Sequence, residues 1–197
     1  MEEYIRSQIE TNELILSGSI RNDEIDRFSK SDLRWAKNRR GNSHKRVVRK
    51  GHVYQFDFGK NFIPEMSYEH RGLVLECKKK MLYVLPIFSY HPGKHLDVYH
   101  PIDYPHSKSD LFLLKGSEFS FLRHDSVLKL NDMRSVSVDR ILYHQTGMID
   151  PSSATFQKIT DLVLQKYFFD HYHEYIQLKE QKAALEAQIQ MFSSEIY

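Results

Sequence analysis

Histidine, arginine and serine are the residues of this chain that offer the most usable chemistry. Six of the eleven histidines lie between His70 and His124, and the closest three fall between residues 91 and 100. The segment HPGKH within this group contains proline and glycine, which exclude the regular helix that presents two histidines to one metal. With a single cysteine, Cys77, and no HExxH pattern, we predict no metal site and no cofactor. Cys77 ends an apolar run, which favours a small buried residue over a reactive thiolate.

Arg71 and Ser89 form a second candidate group. Arg71 opens one apolar segment, and Ser89 closes the next one along the chain. Phosphodiester cleavage without a metal needs a fixed cation at the phosphate, donors for the developing charge and a group that moves a proton. Arg71 and Ser89 meet the first two needs if the fold brings their strand ends together. His70, beside Arg71, is the candidate for proton transfer, because imidazole changes its charge near neutral pH.

Length and composition limit what can position these residues. A chain of 197 residues, 41% hydrophobic and 27% charged, fits one globular domain with arms. Its net charge of +2 identifies no partner. A lone cysteine predicts a reducing compartment, and the acidic start MEEYIRSQIE lacks the apolar core of a signal peptide. The longest apolar run, 81–90, is shorter than the ~20 residues of a membrane span, so we predict a cytoplasmic protein without membrane contact.

The pattern of apolar residues changes twice along the chain. The first 40 residues have helical spacing with a break near Gly18, and residues 34–50 then carry eight basic residues and no acid. The centre predicts short antiparallel strands. These strands are HVYQFDF, RGLVLEC, MLYVLPI, SVLKL and SVSVDRI. The stretch 89–125, with its prolines, predicts an elaborate loop.

The end of the chain predicts helices. Ser152 and Ser153 are plausible caps for a helix that continues to Phe169. From Leu164 to Phe192, mostly apolar residues recur at alternating intervals of four and three. This spacing predicts a long amphipathic helix with a coiled-coil-like tail. Packing of this helix on its own domain and packing against another molecule remain equally open alternatives.

Four segments in this order resemble the MazF/PemK family of toxin endoribonucleases from toxin–antitoxin systems. RKGHVYQFDFG resembles the opening strand of the family, and RGLVLE resembles its RPxLVI strand, with Arg71 at the catalytic arginine and Gly72 in place of proline. VLPIFSY resembles the APITS segment. DSVLKLNDMRSVSVDRIL resembles the stretch DSVxLxxQxRTIxxxRL and is the most specific match. The resemblance covers residues 48–168, including a segment similar to the family's C-terminal helix at 149–168.

The resemblance implies a mainly β fold with flanking helices. The expected core is a small antiparallel PemK-like β-barrel within residues 47–170. A helical N-terminal extension and basic linker would occupy residues 1–46, and an amphipathic helical tail residues 171–197. The family works as homodimers that cleave single-stranded RNA selectively without a metal, and a cognate antitoxin blocks the RNA groove.

The resemblance also implies roles for individual residues. Arg71 would neutralise the phosphate, Ser89 would stabilise the oxyanion, and His70 would act as the base. The expected RNA-binding residues are Lys60, Lys78, Lys79, Phe88, Asn131, Asp132 and Arg134. The family's catalytic threonine falls on Phe88, so Ser89 would have to replace it.

Two other functions remain open alternatives. Because Phe88 has no hydroxyl, the chain is alternatively a catalytically weakened protein that binds RNA or an antitoxin without cleavage. The same fold also serves in gyrase-poisoning toxins, which inhibit a protein, although that alternative rests on fold analogy alone.

Overall fold

The computed structural model describes residues 1–19, 21–39 and 47–195. These residues form seven strands and four α-helices. The strands are β1 (His52–Asp57), β2 (Glu69–Lys78), β3 (Met81–Ser89), β4 (Leu111–Leu114), β5 (Ser126–Lys129), β6 (Arg134–Ser137) and β7 (Ile141–Met148). The helices are α1 (Glu2–Leu14), α2 (Asn22–Asn38), α3 (Ala154–Tyr167) and α4 (Phe169–Glu195). A π-helical turn, Ile15–Ser19, and two 3-10 turns, Leu130–Asp132 and Val138–Arg140, lie between them.

All seven strands belong to one antiparallel sheet with the order β4-β5-β3-β2-β1-β7. β6 also pairs with β3, along the half of β3 that β5 leaves open. Within the described residues, the edge strands β4 and β7 do not pair with each other, so the sheet is open. The expected closed barrel is therefore not present. The expectation of a mainly β chain also needs correction, because helices contain more residues than strands.

Side chains on both faces of the sheet are buried. On one face, Val53, Leu73 and Ile87 belong to a core with the apolar side of α3. On the other face, Phe56 and Val84 belong to a second core. Successive residues of a strand point to opposite faces. Because both faces are buried, the sequences of the central strands are nearly continuous runs of apolar residues. We call these surfaces the α3 face and the opposite face.

Gly18 separates the two N-terminal helices. Its φ of 80° lies in the left-handed region, which glycine adopts readily, and this conformation ends the first helical segment. The predicted break at this residue is confirmed. α2 then docks on the end of the β1–β2 hairpin. Ser31 donates a hydrogen bond of 2.9 Å to the buried carboxylate of Asp57. Arg34 bridges Asp57, at 3.2 Å, and Glu69.

The C-terminal helices differ in burial. α3 begins after Ser153, whose side chain accepts a hydrogen bond from the backbone N–H of Phe156, as the predicted cap requires. Buried Phe156, Ile159 and Val163 attach this helix to the sheet. At Phe168 the backbone leaves the helical region, with φ −136° and ψ 54°, and α4 begins at the next residue. In the described parts of the chain, no helix is both long and apolar enough to cross a membrane.

The sequence predicts most of these elements correctly. All five predicted strand segments contain strands, although SVSVDRI is divided by the 3-10 turn at Val138–Arg140. β4 and most of β7 are missed; β4 lies in the stretch that was predicted to be a loop. Part of the basic linker, residues 40–46, lies outside the described residues.

Candidate active site

Arg71 is a half-buried cation on the α3 face near the start of β2. Its side chain shares this face with Gln55 of β1 and Ile87 of β3, which are its partners in register. Its Nη2 atom donates a hydrogen bond of 3.0 Å to the hydroxyl of Ser126. Burial lowers the pKa of the Arg71 guanidinium below its usual value. Among the described residues, no carboxylate forms an ion pair with Arg71, although Arg34 has two such partners.

Ser126 connects Arg71 to a serine and a histidine. Ser126 is fully buried, and its hydroxyl also donates a hydrogen bond of 3.3 Å to the carbonyl oxygen of His124. Ser126 pairs in register with Ser89 of β3, so both hydroxyls lie on the α3 face. The Oγ of Ser89 lies 2.8 Å from Nε2 of His124. Arg71, Ser126, Ser89 and His124 thus form one cluster, which we call the Arg71 cluster.

A loop between β4 and β5 holds His124 over the sheet. The backbone N–H of Gly116 donates to the carboxylate of Asp125 at 2.8 Å, and the carbonyl of Asp125 accepts from the N–H of Tyr90 at 3.0 Å. Further along the loop, Phe121 lies against Gly147 of β7. A Cβ atom at Gly147 would come within 2.4 Å of the Phe121 ring. The absence of a side chain at Gly147 therefore allows the loop to lie close to the sheet.

His70 is not part of this cluster. It pairs with Phe56 of β1, and both side chains lie on the opposite face from Arg71. Burial, and then the positive charges of Arg27 and Arg71, lower the pKa of His70 to about 4. Although His70 and Arg71 are neighbours in sequence, the structure does not bring their side chains to one site.

Phe88 also points away from Arg71. It pairs with Val127 and packs with Val98 and Leu113 in a small apolar cluster. Its ring makes an edge contact with His95, with 5.3 Å between the ring centroids. Ser89, rather than Phe88, shares the face of Arg71. This placement is what the expected replacement of the threonine by Ser89 requires.

Three of the predicted RNA-binding residues form contacts at or near the β1–β2 loop. Lys60 forms an ion pair of 2.8 Å with Asp32 of α2. The buried carboxylate of Asp132 accepts a hydrogen bond of 2.8 Å from the backbone N–H of Met66. Arg134 lies 2.7 Å from Asp132. Arg134 pairs with Val84, which places it on the face opposite to Arg71.

Three further predicted RNA-binding residues, Lys78, Lys79 and Asn131, are not part of the Arg71 cluster. Lys78 and Lys79 are exposed at the β2–β3 turn. Seven residues of extended strand separate Lys78 from Arg71, or about 23 Å. Asn131 is exposed and donates a hydrogen bond of 2.9 Å to Asp110.

The Arg71 cluster contains what metal-free attack on a phosphate requires. Arg71 offers an unpaired positive charge, Ser89 a hydroxyl, and His124 an exposed imidazole nitrogen that can accept a proton. On the same face, Gln55 pairs with Tyr143 of β7, whose side chain is 55% exposed. An exposed aromatic ring beside a phosphate site offers a surface for stacking a base.

Sequence reasoning missed Ser126 and His124, although both adjoin a segment that it singled out. DSVLKL begins at Asp125, so His124 precedes the match and Ser126 is its second residue. Alternation along the strand could have indicated the face of Ser126, because it places Ser126 and Leu128 on the same face.

No group of three or more histidine, cysteine, aspartate or glutamate side chains in residues 1–19, 21–39 and 47–195 is arranged to hold a metal ion. Comparisons with known proteins do not identify the chain: it matches no protein-family model, and it has no significant match among curated proteins.

Proposed function

We propose that this protein is a metal-independent endoribonuclease of the MazF/PemK type, the toxin of a toxin–antitoxin pair. The observation that carries the proposal is the unpaired guanidinium of Arg71 beside the Ser89–His124 hydrogen bond. Four segments that resemble the family, in the family's order, support it independently. We further propose that the open sheet is a variant of the PemK barrel.

In this mechanism, RNA places its scissile phosphate against Arg71. The 2′-hydroxyl transfers its proton to Nε2 of His124 as its oxygen attacks phosphorus. The bond from phosphorus to the 5′-oxygen breaks, and the leaving oxygen takes a proton from the imidazolium or from Arg71. The products are a 2′,3′-cyclic phosphate and a 5′-hydroxyl end.

Ser89 and Arg71 stabilise the transition state of this reaction. The hydroxyl of Ser89 donates to a nonbridging oxygen while Arg71 neutralises the additional negative charge. Burial makes the guanidinium a stronger acid than it is in water, which suits it to a role at the leaving oxygen. The partners are single-stranded RNA, a cognate antitoxin and a second copy of the chain.

Substitution of Arg71 tests this proposal. Removing a preorganised cation from the phosphate lowers the rate by ~10²-fold or more, so we expect Arg71→Ala to lose RNA cleavage measured with EDTA present. Lys80→Ala is the matched control, because Lys80 is an exposed cation at the β2–β3 turn, beyond the far end of the same strand. Equal loss in both variants, or full activity in Arg71→Ala, would rule out the assigned role of Arg71.

The same assay separates the enzyme from the alternative binding protein. A protein that binds RNA without cleavage would shift RNA in a gel and leave it intact, and Arg71→Ala would weaken that shift. Cleavage by the wild type favours the enzyme directly.

A further inference from the structure

Most apolar residues of α4 are exposed, although Tyr172 and Ile176 are half-buried. The exposed fractions of Tyr175, Leu178, Leu185 and Phe192 are 48%, 64%, 59% and 65%. The helix has 27 residues and extends for about 40 Å. A helix of this length in a protein is stabilised mainly by packing of its apolar side.

Five of the exposed apolar residues, Tyr175, Leu178, Leu185, Ile189 and Phe192, follow one seam of a heptad repeat. Counting from Tyr175 as position a, Lys182 and Ile189 also fall at a. Position d is occupied by His171, Leu178, Leu185 and Phe192. A seam with a period of 3.5 residues is complementary to a copy of itself in a coiled coil.

We propose that α4 pairs with α4 of a second copy of this chain as a parallel, two-stranded coiled coil. Charges beside the seam fit this arrangement. Glu174 at position g faces Lys179 at position e of the second copy, and the symmetry of the pair forms this contact twice. A lysine at a single a position, here Lys182, specifies register and the number of strands.

The position of α4 in the chain also fits this pairing. The helix begins directly after the break at Phe168, at the edge of the folded domain. A parallel pair therefore places both domains at the same end of the coil. The pairing is independent of RNA cleavage, and we expect the Arg71→Ala variant to form it equally well.

Disulfide cross-linking between full-length chains tests the pairing. In a Cys77→Ala background, Leu185→Cys places one thiol at a d position, where the same residue of a parallel partner lies within reach of a disulfide. Ala187→Cys, two residues away on the outer side of the helix, is the matched control. We expect a cross-linked dimer on oxidation with Leu185→Cys and at least a fivefold lower yield with Ala187→Cys. Equal yields, or no cross-link at residue 185, would overturn the proposal.

A second measurement does not need the cysteine background. Leu185→Asp places a charge in the seam, whereas Ala187→Asp adds the same charge outside it. We expect the dissociation constant of self-association, from sedimentation equilibrium, to rise at least tenfold for Leu185→Asp alone. If both variants associate like the wild type, α4 does not pair with itself.

Discussion

At the scale of single residues, the partners of each arginine separate binding roles from structural roles. Arg34 and Arg134 contact carboxylates, so their charges are already neutralised within the fold. Arg71 contacts the neutral hydroxyl of Ser126, and its charge stays available for a ligand. The type of partner therefore distinguishes Arg71 from Arg34 and Arg134.

The proposed proton acceptor is His124. Replacement of a general base typically lowers a rate by ~10²- to 10⁴-fold, and we expect a loss in this range for His124→Ala. Added imidazole should restore part of the activity, because a base that diffuses into the vacated space can take the same proton. His106→Ala, which changes another exposed loop histidine, should retain the wild-type rate. Full activity of His124→Ala without imidazole would remove His124 from the mechanism.

We expect the burial of His70 to make the stability of the fold depend on pH. Its pKa is about 4 in the folded chain, and its ordinary value is 6.5. Between these values the unfolded chain binds a proton that the folded chain does not, so stability falls as the pH is lowered from 6.5 to 4. We expect the free energy of unfolding, from urea titrations, to fall by about 2 kcal/mol more between pH 7 and pH 5 in the wild type than in His70→Gln. The same decrease in both proteins would contradict this.

At the scale of elements, strand alternation explains which site residues the sequence predicts. Ser89 and Phe88 face opposite sides of β3, as alternation requires, and Ser89 shares the face of Arg71. The same reasoning applied to β2 would have separated His70 from Arg71. Alternation alone does not predict that Ser126 and His124 belong to the site, because they approach Ser89 only when β5 pairs with β3.

The loop that carries His124 depends on Gly147. A methyl group there meets the Phe121 ring, so we expect Gly147→Ala to displace the loop and to lower the cleavage rate roughly tenfold or more. Gly93→Ala is the control, because a Cβ atom at Gly93 has no neighbour within 4 Å. Thermal melts identify any general loss of folding. An unchanged rate in Gly147→Ala would show that the position of the loop is unimportant for activity.

At the scale of the whole molecule, periodicity predicts the helices at both ends and the central strands. Periodicity does not predict whether the sheet closes. Closure depends on whether the two edge strands, here β4 and β7, pair with each other, and these strands are far apart in the sequence. β4 is only four residues long and lies in a stretch rich in turn formers, so its own sequence gives a weak signal. The N-terminal helix α2 docks through Arg34 onto carboxylates of two strands, and such a contact between distant residues is invisible to local patterns.

The ends of cleaved RNA test the central claim most directly. Wild-type protein and Arg71→Ala are incubated with a defined single-stranded RNA in EDTA, and the fragments are weighed by mass spectrometry. We predict fragments from the wild type that end in a 2′,3′-cyclic phosphate and begin with a 5′-hydroxyl, and intact RNA with Arg71→Ala. Intact RNA with micromolar wild-type protein, or fragments with 5′-phosphate ends, would contradict the proposed mechanism.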